Sequence, residues 1–242
     1  MDELEKSVEA YWTQRAHDFN SVRLNELRDP ISGRWLEEMG RYLPEGPLKI
    51  LDVGTGTGYF AILLAQAGHE LTGIDLTSAM LAEAEENAAA LGLRIVFRRM
   101  DAQETDFPDE SFDAVVTRNL TWTLPDPAKA YREWFRLLKP RGTLLDFDAD
   151  YARNVRNENQ KASYISREGV YGHVGVTPAL AAENARITMA MPASRHDRPA
   201  WDLALLREAG FSEYGADESA GARILRDRDL SDAPLFLLRA RK

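Results

Sequence analysis

Between residues 48 and 147, short apolar runs rich in β-branched residues alternate with longer stretches whose apolar residues have helical spacing. The runs predict five strands with the sequences "LKILDV", "HELTGID", "LRIVFRRM", "SFDAVVTR" and "GTLLDFD". Strands that alternate with helices are typical of right-handed crossovers, which build a parallel sheet covered on both faces. The pattern therefore predicts a doubly wound α/β domain.

The stretches between these strands carry helix start and stop signals. A helix is predicted over 58–67, and another over 127–138 has Pro127 in its first turn, where proline is well tolerated. A turn at "KPRG" is expected between this second helix and the fifth strand. Gly92 ends a further helix, whose predicted apolar face comprises Met80, Leu81, Ala84, Ala88 and Leu91.

The pattern differs at both ends of the chain. Two helices are predicted before the sheet, at about 2–27 and 30–43. After the fifth strand, residues 149–197 show no strand pattern, and a structureless loop of that length is unusual in a compact domain. We therefore expect a helical insertion there, including a helix over 177–191 whose N-cap is Thr177.

A helix over 199–210 and two strands, over 211–219 and 233–242, close the chain. Because no helix-sized crossover separates the two strands, we expect them to pair antiparallel. The prediction is a seven-stranded, mostly parallel sheet with its last strand antiparallel, N-terminal helices and a helical insertion after strand five. The predicted segments are N-terminal helices (1–44), a core (45–148), the insertion (149–197) and the end of the core sheet (198–242).

Composition narrows the function classes. The 242 residues can form one large domain with an insertion, and the net charge of −9 argues against broad binding to nucleic acid, which needs a basic surface. No apolar run approaches the roughly 18 residues of a membrane span, and the acidic start lacks the layout of a secretory signal. The absence of cysteine excludes disulfides, thiolate zinc sites and a cysteine nucleophile. We expect a cytoplasmic monomer or homodimer that binds neither nucleic acid nor membrane.

Three glycines, Gly54, Gly56 and Gly58, follow the first strand at every second position. A tight strand–turn–helix connection brings backbone N–H groups and a helix N-terminus close to a ligand. The dinucleotide fingerprint requires glycine at the sixth position of the turn, where this chain has Tyr59, and the Gly-Lys-Ser/Thr of a phosphate loop is absent. The spacing therefore argues against a pyrophosphate ligand.

Acidic residues stand at or just after the ends of the first three strands: Asp52, Asp75 and Asp101. A carboxylate at Asp75 can accept hydrogen bonds from both hydroxyls of a ribose, which fits any adenosine ligand. Asp101 is well placed to meet an adenine edge. A set of acids around a nucleoside suits a positively charged ligand and repels a pyrophosphate.

Four successive segments, "LDVGTGTGYFAILLAQAG", "GIDLTSAMLAEAEENA", "RMDAQETDFPDESFDAVVTRNLTWTL" and "AKAYREWFRLLKPRGTLLDF", resemble the motifs of class I S-adenosylmethionine-dependent methyltransferases. The likeness is nearest to the branch that includes the ubiquinone and menaquinone biosynthesis enzymes and covers roughly residues 45–150. It implies a Rossmann-like methyltransferase fold, S-adenosyl-L-methionine as cofactor and methyl transfer to a small molecule. The runner-up is a non-catalytic S-adenosylmethionine-binding sensor or partner subunit, followed by a nicotinamide dehydrogenase.

The resemblance also implies roles for single residues. The glycine turn, with Thr55 and Thr57, is expected under the methionine part and the ribose, and Asp52 is expected to orient the turn. The other implied cofactor contacts are Asp75 and Leu76 at the ribose, Asp101 and Ala102 at the adenine, Arg118, Asn119 and Leu120 beside the sulfonium, and Tyr11, Trp12 and Arg15 on an N-terminal lid formed by residues 1–44.

The acceptor is expected to meet the insertion. Residues 151–200 contain six arginines and one lysine against four acidic residues, in an otherwise acidic chain. This asymmetry predicts an anionic acceptor, or else arginines that pair with the acidic surface of the main domain. Trp122 fits a substrate wall and core packing equally well. The predicted acceptor contacts are Trp122, Arg153, Arg156, Tyr164 and Arg167, with His173 as the candidate base.

Two further features bear on the chemistry. The run "RNLTWTLP" after the fourth strand lacks the Asn/Asp-Pro-Pro-aromatic motif with which DNA and RNA amino methyltransferases stack a flipped base. Asp146, Asp148 and Asp150 alternate along the fifth strand and so share one face. Because acids that stabilise the fold are commoner than metal ligands in such a pattern, we expect no metal.

Overall fold

The structure is a computed structural model that describes residues 3–153, 175–226 and 233–242. Within these residues, the strands of one sheet are β1 (Lys49–Val53), β2 (Glu70–Asp75), β3 (Val96–Arg99), β4 (Phe112–Arg118), β5 (Leu138–Ala149), β6 (Glu213–Asp217) and β7 (Leu235–Arg241). Their order across the sheet is β3-β2-β1-β4-β5-β7-β6. Strands β1 to β5 pair in parallel, and β7 is antiparallel to both β5 and β6. The predicted doubly wound, mostly parallel sheet of seven strands is confirmed.

The helices cover both faces of this sheet and precede it. They are α1 (Glu3–Arg28), α2 (Ile31–Gly40), α3 (Tyr59–Gln66), α4 (Ser78–Ala90), α5 (Pro127–Leu137), α6 (Pro178–Ala190), α7 (Ala200–Ala209) and α8 (Ala220–Leu225). The predicted N-cap of α6 is present, because the Thr177 hydroxyl accepts the backbone N–H of Leu180 at 3.2 Å. Among the described residues, no helix combines the length and apolar character needed to cross a bilayer.

One local expectation was wrong. Leu91 is 48% exposed, because α4 ends at Ala90 and the chain turns before the side chain reaches the core. The turn expected at residues 139–142 falls within the range of β5 as an irregularity, because Arg141 has a left-handed φ of +66° and the pairing with β4 jumps from Leu138 to Thr143. The Lys242 backbone binds this irregularity, since its N–H donates to the Gly142 carbonyl at 3.1 Å and its carbonyl accepts from Arg141 at 3.1 Å.

Apolar side chains fill both faces of the sheet, and α2 belongs to one of these layers. Ile31, Trp35 and Met39 on α2 are fully buried against α3 and the central strands. On the other face, α5 and α7 pack over the sheet. Helix α1 reaches the carboxyl ends of β3 and β4, at the edge where ligands bind in open α/β sheets, through Glu9 with Arg99 and Glu26 with Arg118.

Candidate functional site

The turn between β1 and α3 holds its glycines in left-handed backbone conformations. The φ angles of Gly54, Gly56 and Gly58 are +65°, +55° and +86°, a region that residues with a Cβ rarely adopt. A Cβ on Gly54 would lie 2.8 Å from the side chain of Leu120. The glycine spacing therefore follows from the shape of the turn and from the close approach of the chain after β4.

Asp52 lies beneath this turn and is buried. Its Oδ2 accepts the Thr55 hydroxyl at 2.6 Å and the Ala61 backbone N–H at 3.0 Å. Burial raises the pKa of Asp52 to about 7, against the opposing effect of these two hydrogen bonds. Asp52 thus ties β1 to the turn and to α3.

Asp75 ends β2 and holds the neighbouring turn. Its Oδ2 accepts the Gly56 backbone N–H at 2.9 Å, and its Oδ1 accepts the Thr77 backbone N–H at 2.8 Å. A carboxylate oxygen can accept more than one hydrogen bond, so Asp75 suits a pair of ribose hydroxyls. Burial raises the pKa of Asp75, and these backbone hydrogen bonds oppose the shift. The following Leu76 carbonyl accepts from Arg99 Nε at 2.9 Å.

Asp101 follows β3, and its Oδ1 accepts the backbone N–H of Gln103 at 2.8 Å. The buried Gln103 also donates to Glu5 of α1 at 3.1 Å and accepts the Asp126 backbone N–H at 2.8 Å. Sequence reasoning missed Gln103, because a single glutamine in a loop carries no pattern. The Ala102 carbonyl accepts Trp134 Nε1 at 2.9 Å, which anchors this loop to α5.

Helix α1 crosses the carboxyl edge of the sheet through polar contacts. These contacts are Gln103 with Glu5 (3.1 Å), Arg99 with Glu9 (2.6 Å) and Asn87 with Asn20 (2.7 Å). Asn87 also donates to the Thr57 carbonyl of the glycine turn at 3.0 Å. Phe19 of α1 lies 3.7 Å from where a Gly56 Cβ would stand. The helix therefore covers the edge where a nucleoside ligand is expected.

The three predicted lid residues make two kinds of contact, one apolar and one ionic. Tyr11 and Trp12 form a small apolar cluster with Ile187 and Met191, which belong to α6 and the residue that follows it. Arg15 is buried on the same helix and lies 3.7 Å from Asp18. The N-terminal helix and the insertion thus pack against each other, and the expectation that these residues contact the cofactor stays a prediction.

Arg118, at the end of β4, forms an ion pair with helix α1. Its Nη1 and Nη2 donate to Glu26 at 3.0 and 3.2 Å, and its guanidinium lies 4.3 Å from the Trp35 ring centre. Burial alone would raise the pKa of Glu26, but Arg118 and Arg23 lower it to about 2. The predicted position of Arg118 beside a sulfonium stays a prediction.

The next residues turn sharply towards the glycine turn. Asn119 has a left-handed φ of +57°, its backbone N–H donates to the Phe147 carbonyl at 2.7 Å, and its carbonyl accepts Trp122 Nε1 at 2.9 Å. Its side-chain oxygen Oδ1 is buried and has no hydrogen-bond partner. The Trp122 ring is buried and lies 4.9 Å from the Tyr151 ring. Trp122 thus packs in the core at the end of β4, and its role in a substrate wall stays a prediction.

A buried ionic network supports this turn from β5. Asp148 Oδ2 accepts the Trp122 backbone N–H at 3.0 Å and Arg198 Nη1 at 3.0 Å. Arg198 also donates to Asp202 at 2.9 Å and to the Thr121 hydroxyl at 2.6 Å. The Arg198 guanidinium thus supplies the positive charge that neutralises the buried aspartate of β5. Sequence reasoning counted Arg198 with the insertion and missed Asp202, since only the fold brings them to β5.

Asp146 extends this network, because the Tyr131 hydroxyl donates to its Oδ2 at 2.8 Å. Burial and the charge of Asp148 raise the pKa of Asp146 well above its ordinary value. Within the three described ranges, no group of His, Asp and Glu is arranged to hold a metal ion.

The predicted acceptor residues fall largely elsewhere. His173, Arg156, Tyr164 and Arg167 lie outside the described residues. Arg153 is exposed at the end of the described part of this segment. Two other arginines of residues 151–200 are ion-paired: Arg186 with Glu183 at 2.6 Å, and Arg198 within the network above.

Comparisons with known proteins agree with this geometry. Residues 51–146 match the model of a methyltransferase domain family. The chain is 36% identical over 130 residues to the ubiquinone biosynthesis O-methyltransferase of Alkalilimnicola ehrlichii, covering 53% of this chain and 48% of that protein. It is 40% identical over 105 residues to the demethylmenaquinone methyltransferase of Thermus thermophilus, covering 43% and 48%. The chain thus spans about half the length of these curated relatives.

Among solved structures, an S-adenosylmethionine-dependent methyltransferase from Mesorhizobium loti superimposes with a TM-score of 0.59 at 24% identity. The superposition covers 86% of this chain and 98% of that one, which establishes a shared fold. The strand order, the glycine turn and the sequence relatives agree with one another. Residues 51–146 therefore form a class I S-adenosylmethionine-dependent methyltransferase domain.

Proposed function

We propose that the protein transfers a methyl group from S-adenosylmethionine to a small-molecule acceptor. The observation that carries the proposal is the order of groups along one sheet edge. Asp101 follows β3, Asp75 ends β2, the glycine turn follows β1 and Asn119 follows β4. An extended nucleoside laid along this edge meets an adenine partner, a ribose partner and a glycine cradle in that sequence, with its reactive end at β4.

The residues present fit this cofactor. The Asp75 carboxylate stands beside the turn, where its oxygens suit ribose hydroxyls, and the three glycines leave the turn without Cβ atoms. In this proposal Asp101 and the Ala102 backbone bind the adenine, Leu76 packs beside the ribose, and Tyr11, Trp12 and Arg15 close the site from α1 and its neighbours. Thr55 and Thr57 shape the turn beneath the methionine part.

Bound S-adenosylmethionine supplies a methyl group that is already electrophilic because it is attached to a sulfonium. The work left to this chain is alignment and exclusion of water. Helix α1 covers the sheet edge, and the turn after β4 is held by Asp148 and Arg198. Asn119, Leu120 and Trp122 then form the floor against which an acceptor is aligned. His173 is the proposed base for acceptors that must lose a proton.

The relatives named for quinone biosynthesis support a small molecule as the acceptor. We further propose that the acceptor carries negative charge and is bound by Arg153, Arg156 and Arg167, with Tyr164 beside them. Support comes from the net positive charge of residues 151–200 in a chain whose net charge is −9. The ion pairs of Arg186 and Arg198 limit this proposal, since those two cations are already neutralised.

The experiment that tests the cofactor assignment is calorimetric titration of Asp75→Asn with S-adenosylmethionine and S-adenosylhomocysteine. Losing charge-assisted hydrogen bonds costs roughly 1.5–3 kcal/mol, so both affinities should fall by about 10- to 150-fold. Asp106→Asn, the same change at an exposed surface pair with Arg98, is the matched control and should bind normally. Unchanged binding by folded Asp75→Asn would contradict the assignment.

Transfer itself is tested with S-adenosylmethionine labelled in its methyl group, incubated with the protein and a small-molecule extract. Label in a product that is absent with Asp75→Asn supports the enzyme. Tight binding of S-adenosylmethionine without transfer to any acceptor in the extract would favour the alternative of a non-catalytic sensor or partner subunit.

A further inference from the structure

The side-chain oxygen of Asn119 is buried without a hydrogen-bond partner in the turn that follows β4. Its backbone N–H and carbonyl, by contrast, bond Phe147 and Trp122. A buried amide oxygen without a hydrogen bond costs stability, and a native structure that keeps one calls for a functional explanation. The left-handed backbone, with φ of +57°, is a second unfavourable feature at the same residue.

Asn119 also stands at the reactive end of the site. It follows β4, the strand next to β1, and the adjacent Leu120 packs against Gly54 of the glycine turn. If the cofactor lies along β3, β2 and β1 as proposed above, the methyl group points towards the end of β4. This step rests on the proposed function.

The backbone that carries this side chain is held in place. Trp122 Nε1 donates to the Asn119 backbone carbonyl at 2.9 Å, and the Trp122 backbone N–H donates to Asp148 at 3.0 Å. Arg198 donates to the Thr121 hydroxyl at 2.6 Å from the other side. Such supporting contacts preserve an oriented polar group for a ligand.

We propose that the Asn119 side-chain oxygen accepts a hydrogen bond from a hydroxyl or amino group of the methyl acceptor. The acceptor is then an oxygen or nitrogen nucleophile that still carries its proton when it binds. Its lone pair forms the new bond to the methyl carbon, and the carbon–sulfur bond breaks with its electron pair on sulfur. The proton passes to the base of the proposed function or, for an acceptor that needs none, to solvent as the site opens. Asn119 orients the O–H or N–H so that the lone pair faces the methyl group, and it takes up no proton itself.

Two variants separate recognition from folding. Asn119→Gly removes the amide and suits the left-handed backbone better than asparagine, so it should fold. Asn119→Asp keeps an acceptor oxygen, and aspartate also tolerates this conformation. Affinity for S-adenosylhomocysteine, measured by calorimetry, should fall less in Asn119→Gly than affinity for the acceptor probe, because no ribose or adenine contact is touched and S-adenosylhomocysteine carries no sulfonium.

The probes are phenol and anisole, which share a ring but differ in the hydroxyl donor. In protein saturated with S-adenosylhomocysteine and isotope-labelled at asparagine, millimolar phenol should shift the Asn119 side-chain amide resonance, and anisole should not. Asn119→Gly should bind phenol about 3- to 10-fold more weakly, the loss expected for one hydrogen bond between neutral groups. Asn119→Asp should bind phenol about as well as wild type.

Equal shifts with phenol and anisole, or no shift with phenol at millimolar concentration, would overturn the proposal. So would a loss of S-adenosylhomocysteine affinity in Asn119→Gly as large as its loss of phenol affinity, since the amide would then serve the cofactor. Failure of the proposed function is a different result, in which S-adenosylhomocysteine does not bind wild type or binds Asp75→Asn equally well.

Discussion

The two N-terminal helices are neighbours in the chain, yet they bury opposite kinds of surface. Helix α2 buries Ile31, Trp35 and Met39 in the apolar layer beside α3. Helix α1 buries a face that is largely polar and aromatic, composed of Tyr11, Arg15, Ala16, Asn20, Val22, Arg23 and Glu26. A helix that only covers a core has an apolar stripe, so the buried face of α1 has a different purpose.

The difference indicates which part of the N-terminal region can move. Contacts of α1 with the sheet edge are hydrogen bonds and ion pairs, such as Glu9 with Arg99 and Asn20 with Asn87, which water can replace when the helix lifts. The apolar contacts of α2 have no such substitute. Segments with few buried apolar contacts open at the lowest free energy. The lid predicted for residues 1–44 is therefore better proposed for α1 alone.

The largest expected effect belongs to α2. Trp35→Ala should lower the free energy of unfolding by about 3–5 kcal/mol, the usual loss for a buried tryptophan, because the Trp35 ring packs at 5.1 Å from both Phe60 and Phe147. Denaturant unfolding measures this loss. Trp12→Ala, on half-buried Trp12 of α1, is the matched change and should cost clearly less. Similar losses in both variants would remove the distinction between the helices.

The next effect concerns the ion pair that joins α1 to β4. Glu26 has a pKa of about 2 against an ordinary 4.5, so its stabilising contribution is complete above pH 4.5 and is lost as the pH falls towards 2. A shift of this size corresponds to about 3 kcal/mol. Glu26→Gln should therefore be less stable than wild type at neutral pH and should show a flatter loss of stability between pH 4.5 and 2.

Stability against pH, followed by denaturant titration at each pH, checks this expectation. Glu37→Gln is the control, since Glu37 is exposed on α2 and pairs with Arg41 only at the surface. If the free energy of unfolding varied with pH in the same way for Glu26→Gln and wild type, the ion pair of Glu26 with Arg118 would not hold α1 to the sheet.

The contrast between the helices also explains how far the sequence predicts the molecule. Strand and helix periodicity identified all seven strands and the longer helices that flank them, because burial of apolar faces is a local pattern repeated along the chain. The short helix α8 was missed, since its six residues are too few to show a helical period. Asp75 and Asp101 were identified because they lie at or just after the carboxyl ends of strands, where ligands bind in parallel sheets.

What periodicity could not predict are the polar pairs between distant segments. Asn20 meets Asn87 and Arg198 meets Asp148 only after the chain has folded, and neither partner has a repeated pattern. The unsatisfied amide of Asn119 is a property of packing and likewise has no signal in the sequence. Arg118 and Arg198 show the same limit, since a sequence gives the charge of an arginine but not its partner.

The smallest effect tests the movement of α1 directly. Hydrogen exchange over minutes should slow in residues 5–25 when S-adenosylhomocysteine is added, because the ligand binds beneath closed α1 and not beneath the open form. At about ten times the dissociation constant, the expected slowing is up to about tenfold. Residues 31–40 of α2 should be protected with and without ligand over this time, since apolar packing fixes them.

Asp75→Asn at the same ligand concentration should show little slowing in α1, which separates ligand binding from an effect of the added compound. Equal exchange of residues 5–25 with and without ligand in wild type would show that α1 is a permanent cover, and its polar buried face would then need another explanation.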